Sequence, residues 1–312
     1  KVPYKKQMKS ASRLLAQTDS ANCPWHVVDA EDRYYRDITI GRILLEQMEA
    51  RTARQSDLRT TTEVTPVKLV KLVKLPKMAP LDRVDLDQAL KKSDFQEKLA
   101  QYQGRLQDLA WQRHALMQGS LIAVFEGWDA AGKGSAIRRV TGAIDPRLYR
   151  VLQYAAPTSE ERLRHYLWRF WRRLGRDGSA TLFDRSWYGR VLVERVEGVA
   201  SDDEWQRAYA ENNEFARQIV EHGSTVLKFW IHISPQEQLA RFKARENEPH
   251  KRHKITDEDW RNREKWPLYE RAVNEMILRT SPSHAPWHVI AGNDKRHARI
   301  EILKRFCDAL ES

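Results

Sequence analysis

Apolar residues along this chain gather in two ways. Short continuous runs occur at Leu121 to Phe125, Tyr149 to Tyr154, Thr181 to Phe183, Val226 to Ile233 and Trp287 to Ile290, and stretches with a three-to-four-residue apolar period separate them. The runs are short and rich in β-branched and aromatic side chains, so they predict buried strands, and the periodic stretches predict helices. Strictly alternating strands and helices imply an α/β fold. Its parallel sheet would be wrapped by helices on both faces, with ligands at the carboxyl ends of the strands. Before the first run, Phe95, Leu99, Tyr102, Leu106, Leu109 and Leu116 mark an amphipathic helix from Asp94 to Met117, with Ser93 as its expected N-cap. Thr158-Ser159-Glu160-Glu161 carries a capping signature and should open another helix, bearing Arg162, Arg164, Arg169, Arg172 and Arg173 among Trp168, Phe170 and Trp171.

The first run leads directly into Gly127-Trp128-Asp129-Ala130-Ala131-Gly132-Lys133-Gly134-Ser135, and a basic periodic stretch follows. Strand, glycine-flanked loop and helix in that order match a P-loop. Glycines let consecutive amides turn inward on phosphate oxygens, the helix N-terminus adds partial positive charge, and Lys133 supplies a mobile ammonium. Gly127, Gly132, Gly134 and Ser135 are therefore candidate phosphate-binding positions. The residue after the lysine is ordinarily a magnesium-ligating Ser or Thr. Here it is Gly134, and Ser135 stands one place too late. Asp129 places a carboxylate inside the loop instead, where a hard cation bridging phosphates would sit. The loop predicts a chain that moves phosphoryl groups.

Leu182-Phe183-Asp184-Arg185 sets an acid and a base at the end of a buried strand, the place of a Walker-B aspartate. Asp184 is the second candidate magnesium carboxylate. Arg185 and Arg190 are candidates to stabilise charge on a transferring phosphoryl, since a guanidinium fork matches phosphate oxygens. On the helix after the loop, at least one of Arg138 and Arg139 is expected to point at phosphates. Between Arg241 and Lys265 the chain turns strongly basic, with Lys251 and Lys254 near Pro249. This segment lies where nucleotide-kinase-like folds carry a mobile lid, and closure would exclude water from the transferring group. Trp260, Trp266 and Tyr269, on the helix that follows, have the spacing of packing residues rather than of base-stacking ones, and His288 inside a strand reads as structural.

Charge narrows the partners. The 312 residues hold 54 Lys and Arg against 43 Asp and Glu, a net +11 that favours a polyanion: nucleic acid, an anionic membrane surface or a phosphate polymer. No apolar run approaches the roughly 20 residues of a membrane span, and the two cysteines, Cys23 and Cys307, are isolated. A cytoplasmic protein without nucleic-acid or membrane partners is expected. The histidines show no zinc spacing.

The chain also repeats itself. Thr18, Cys23-Pro24-Trp25-His26-Val27-Val28 and Asp32-Arg33 return as Thr280, Ala285-Pro286-Trp287-His288-Val289-Ile290 and Asp294-Lys295, at a constant offset of 262 residues. The second copy closes the P-loop domain. The first should therefore close a preceding copy, which makes residues 1–55 the remnant of a homologous domain, 56–80 a basic linker built on Val67-Lys68-Leu69-Val70-Lys71, and 81–312 the P-loop phosphotransferase domain.

Phe125 to Gly134, Asp184 to Tyr188 and Ala285 to Ile290 together resemble the polyphosphate kinase 2 family, over about Leu81 to Ser312. The resemblance implies a P-loop kinase-like fold with a basic helical lid. It implies phosphoryl transfer between inorganic polyphosphate and an adenine nucleotide with magnesium, Asp129 and Asp184 serving the metal, Lys133 gripping phosphate and Arg185 stabilising transferred charge. Ser135 replaces the family's usual third glycine, and His253 stands where a Trp is usual. The repeat resembles the tandem two-domain branch, which points to AMP as acceptor and ADP as product. Phosphorylation of ADP to ATP is the alternative within the family, and a nucleic-acid-dependent NTPase the alternative outside it. Assembly into a homo-oligomer is expected.

Overall fold

The structure is a computed structural model describing residues 3–21, 23–60, 78–248 and 255–311, with 54–60 described as backbone only. The chain divides into two units, Lys1–Leu72 and Val73–Ser312. Most of the proposed linker, residues 61–77, lies outside the described residues.

In the first unit, helix α1 (Tyr4–Thr18) is followed by an isolated bridge between Ser20 and Cys23, an irregular stretch over 24–30 and helix α2 (Arg33–Thr60). None of its described side chains is buried. What orders the turn is local hydrogen bonding. Thr18 Oγ1 donates to Leu14 O at 2.7 Å and accepts from Trp25 Nε1 at 2.7 Å, and Asp32 Oδ1 caps α2 by accepting from the amides of Tyr34 and Tyr35.

The second unit runs α3 (Lys92–Ala115), β1 (Leu121–Gly127), α4 (Lys133–Thr141), β2 (Tyr149–Gln153), α5 (Ser159–Arg162), α6 (Trp168–Trp171), β3 (Ala180–Asp184), a 3-10 turn at Trp187–Val191, α7 (Val193–Val196), α8 (Asp202–Glu221), β4 (Thr225–His232), α9 (Pro235–Asn247), α10 (Asp257–Glu264), α11 (Trp266–Arg279), β5 (Trp287–Ala291) and α12 (Lys295–Glu311). The five strands form one parallel sheet in the order β2-β3-β1-β4-β5. The chain thus visits one side of β1 and then the other. The carboxyl end of β1 lies at the reversal of strand order, where open α/β sheets bind ligands.

Alternation along the strands divides the two faces. Phe125 and Phe229, paired in register, stack at 5.3 Å and pack against Phe306 of α12 on one face. Glu126, Lys228 and Trp230 project from the other, beneath Trp187, Tyr188, Tyr209 and Phe215. The last residue of β1 must be a glycine, because Gly127, at φ 151°, passes so close to β4 that a Cβ would lie 2.7 Å from Ile231 O.

Several helix boundaries differ from expectation. α3 starts one residue before Ser93, which lies inside the helix and donates to Asp94, so Ser93 is not the cap. Thr158 does form its capping box with Glu161, but α5 stops at Arg162 and the arginine-rich stretch does not continue as one helix. The helix expected to carry Trp260, Trp266 and Tyr269 is two helices, broken at Lys265 because Pro267 is accommodated only in the first turn of a new one. No described helix is long and apolar enough to cross a membrane.

Candidate active site

The loop from Gly127 to Gly134 turns at two positive-φ residues, Ala130 at 62° and Gly132 at 111°, and α4 then begins at Lys133 with no side chain capping its first amides. An uncapped helix start after such a turn leaves donors directed at an anion. Lys133 Nζ folds back on the loop, donating to Gly127 O at 2.6 Å and Trp128 O at 3.2 Å. Ser135 Oγ donates to Gly132 O at 2.9 Å, bracing the turn, whereas Gly134 is exposed with open space where a Cβ would sit.

Side chains from distant elements hold the loop. Arg241 of α9, 5% exposed, donates to the carbonyls of Ala130, Ala131, Gly292 and Asn293, tying the loop to the turn after β5. This corrects the expectation for Arg241. It is a buried clamp beneath the loop, not the first residue of a mobile lid. Gln238 donates to Asp129 O at 3.1 Å. Trp128 lies flat on Trp266 with ring centroids 3.6 Å apart and donates through Nε1 to His232 Nδ1 at 2.9 Å. Burial pushes the His232 imidazole down to about 4, which keeps Nδ1 free to accept that bond.

Asp129 points toward the cavity. Its Oδ2 accepts from Asn262 of α10 at 3.0 Å, and its Oδ1 lies 3.8 Å from Arg185 Nη2. Asn262 in turn accepts from the Tyr269 hydroxyl, which also reaches Glu197. Arg185 adopts a left-handed backbone at φ 66°, strained for a side-chain-bearing residue. The next residue is anchored. The Ser186 amide and hydroxyl both donate to Glu126 Oε1, at 2.8 and 2.7 Å, across the ends of β1 and β3. Burial raises the Glu126 pKa, and the Ser186 bonds and the charges of Lys133 and Arg185 oppose that rise.

Of these groups, Glu126, Asp129, Lys133, Arg185, Asn262 and Tyr269 line a cavity of about 100 Å³. Its wall combines Asp129, Lys133 and Arg185 with the apolar Leu192, Val193 and Trp230. It therefore suits a ligand that carries both anionic and apolar parts. Asp184 ends β3 beside Phe125 of β1 but is not part of the cavity wall. Three candidates lie elsewhere. Arg138 is exposed on α4, away from the wall. Arg190 is neither solvated nor directed at the loop; it pairs with Glu194 at 3.0 Å and Glu204 at 3.6 Å and lies over the Tyr166 ring. Arg139, its main-chain carbonyl held by Gln103, is likewise absent from the wall. Lys251, Lys254 and His253, the body of the expected lid, lie outside the described residues.

Sequence reasoning passed over Glu126, Trp128, Gln238 and Asn262. An acid ending an apolar strand was a visible signal for Glu126. Asn262 had none, since its partner Asp129 is 133 residues away.

Comparison with known proteins was then decisive. The family model for polyphosphate kinase 2 (PPK2) matches residues 3–56 and 89–312. A polyphosphate:AMP phosphotransferase of Pseudomonas syringae pv. tomato is 47% identical over 312 residues, 99% of this chain and 61% of that protein. A solved Pseudomonas aeruginosa chain described as a polyphosphate kinase 2 superposes with a TM-score of 0.85 at 47% identity, covering 99% of this chain and 61% of its own length. Polyphosphate Kinase 2 from Arthrobacter aurescens superposes with a TM-score of 0.73 at 33% identity, over 77% of this chain and 88% of that one. The chain thus spans 61% of the length of its full-coverage relatives. With a five-stranded parallel sheet, the P-loop at its switch point and matches over both of its units, the chain belongs to the polyphosphate kinase 2 family.

Proposed function

We propose that this chain transfers the terminal phosphoryl group of inorganic polyphosphate to an adenine nucleotide, with AMP as acceptor and ADP as product. The observation that carries the reading is the convergence of Asp129, Lys133 and Arg185 on the wall of one cavity that Leu192, Val193 and Trp230 also line. The similarity to the Pseudomonas syringae polyphosphate:AMP phosphotransferase supports AMP over ADP.

Each residue has a role in an in-line transfer. The loop amides and the start of α4 bind phosphate oxygens, and Lys133 exchanges the carbonyls of Gly127 and Trp128 for the transferring group. Arg185 follows the charge that develops on that group. An acceptor phosphate is already ionised, so positioning and electrostatics carry the reaction without a strong base. Asp129 and Asp184 would hold magnesium. The donor chemistry fits: magnesium is ordinarily held by one or two carboxylates with water and phosphate completing its shell, and the Asp129 carboxylate lies in the cavity wall. When bound, it neutralises phosphate charge.

Residues 1–55 are proposed to be the closing part of a preceding homologous domain. The support is that α1 and α2 start 262 residues before α11 and α12, the offset of the sequence repeat. Assembly into a homo-oligomer and a cytoplasmic location belong to the same proposal.

The test is incubation with polyphosphate and magnesium and with AMP or ADP separately, followed by nucleotide separation. ADP formed from AMP supports the reading; turnover of ADP alone selects the ATP-forming alternative. Lys133→Ala is expected to lower kcat at least about 100-fold with an unchanged circular dichroism spectrum. Near-normal activity in that variant removes the site.

A further inference from the structure

Lys228 stands in the middle of β4, fully buried, on the same face as Glu126 and Trp230 and two residues below the latter. Its Nζ donates to the main-chain carbonyl of Thr280 at 2.5 Å and to the Tyr188 hydroxyl at 3.2 Å. It also lies 5.4 Å and 5.3 Å from the ring centroids of Tyr188 and Trp287. No ion pair with a carboxylate is found for it among the described residues.

Burying an ammonium away from any carboxylate is costly, and an unbranched apolar side chain of similar length would occupy the site more cheaply. What the ammonium provides is a connection. Thr280 ends α11, whose first turn carries Trp266 against Trp128 of the loop. Tyr188 lies three residues after Arg185, in the turn that leaves β3. The segment that follows Arg185's strained backbone is anchored twice, by Ser186 on Glu126 and, two residues further on, by Tyr188 on Lys228.

We infer that Lys228 is a positioning residue for phosphoryl transfer, holding the Arg185–Tyr188 segment against the central sheet so that the Arg185 guanidinium stays at the cavity. The inference rests on the reading of Arg185 as the group that stabilises transferred charge. Burial pushes the Lys228 ammonium down to about 7, in keeping with a site where charge is tolerated and not favoured.

The experiment is a double-mutant cycle between Lys228→Met and Arg185→Ala, with kcat and KM for polyphosphate-dependent ADP formation and thermal unfolding of each variant. Lys228→Met is expected to lower kcat about tenfold at little-changed KM, with an unfolding midpoint equal to or above that of the parent. In the Arg185→Ala background the same change should cost no more than about twofold, because the two residues act as a unit. Tyr188→Phe, which keeps the ring and the ammonium and removes one acceptor, serves if the methionine variant fails to fold; it should lose about threefold in kcat, again only when Arg185 is present. Equal losses in both backgrounds overturn the positioning role and leave the reading of Arg185 standing. Parental activity in Arg185→Ala overturns both.

Discussion

Two segments of this molecule share a local sequence and differ in what surrounds them. Around Trp287, Thr280 Oγ1 donates to Met276 O at 2.7 Å and accepts from Trp287 Nε1 at 2.9 Å, and Asp294 caps α12 through the His297 amide. Around Trp25 the corresponding bonds join Thr18, Leu14 and Trp25, and Asp32 caps α2. Hydrogen bonds, caps and helix starts repeat at one offset. Yet Trp287 is 7% exposed and begins a strand paired to β4, whereas Trp25 is 51% exposed and residues 25–29 pair with nothing described. Short-range interactions suffice for the turn and the caps. A strand needs a neighbouring ladder, which sequence near it cannot supply.

The largest break in the comparison should come from the tryptophans themselves. Trp287→Ala removes a buried ring that Tyr188 meets edge-on and is expected to cost the P-loop unit about 3–5 kcal/mol in urea unfolding. Trp25→Ala should leave that transition within about 0.5 kcal/mol. Comparable losses would mean that Trp25 is covered in solution.

Acid should act next, through the buried copy's His288. Burial, with help from Arg305, pushes His288 down to about 4. A histidine whose folded pKa lies below its unfolded value near 6.5 binds fewer protons when folded, so stability falls as pH drops from about 6.5 to about 4 and levels off below. Partial exposure limits the effect to about 2 kcal/mol, and His288→Asn should flatten that part of the pH profile. A profile unchanged by His288→Asn would refute the burial argument.

Smaller still is the threonine. Thr280→Ala leaves the buried Trp287 Nε1 without its acceptor and should cost about 1–2 kcal/mol, against a few tenths for Thr18→Ala. The aspartate caps should be nearly equal, each worth about 1 kcal/mol to its own helix by circular dichroism, since capping depends on local geometry alone. Unequal caps would show that local equivalence is only apparent.

The same division governs the active site. Strand, loop and helix around Lys133 were legible because apolar runs, glycines and a lysine lie within about fifteen consecutive residues, and the end of β3 at Asp184 was legible for the same reason. Arg190 and Arg138 do not join Lys133 in the cavity wall, because one-dimensional proximity says nothing of direction; a partly buried Arg190 has its own acids, Glu194 and Glu204. Arg241 was misread because its basic neighbours suggested a lid, although its four carbonyl partners come from two turns far apart in sequence.

By itself, then, the sequence determined the order of the strands, the glycine-flanked loop, the Thr158 capping box and the internal repeat, because each arises from side chains and backbone a few residues apart. Tertiary structure alone decided that Arg241 clamps the loop, that Asn262 meets Asp129, and that the ammonium of Lys228 reaches Tyr188 and Thr280 inside the sheet. Those contacts depend on parallel strands brought together across long crossovers, and no local pattern encodes which side chains then come to face one another.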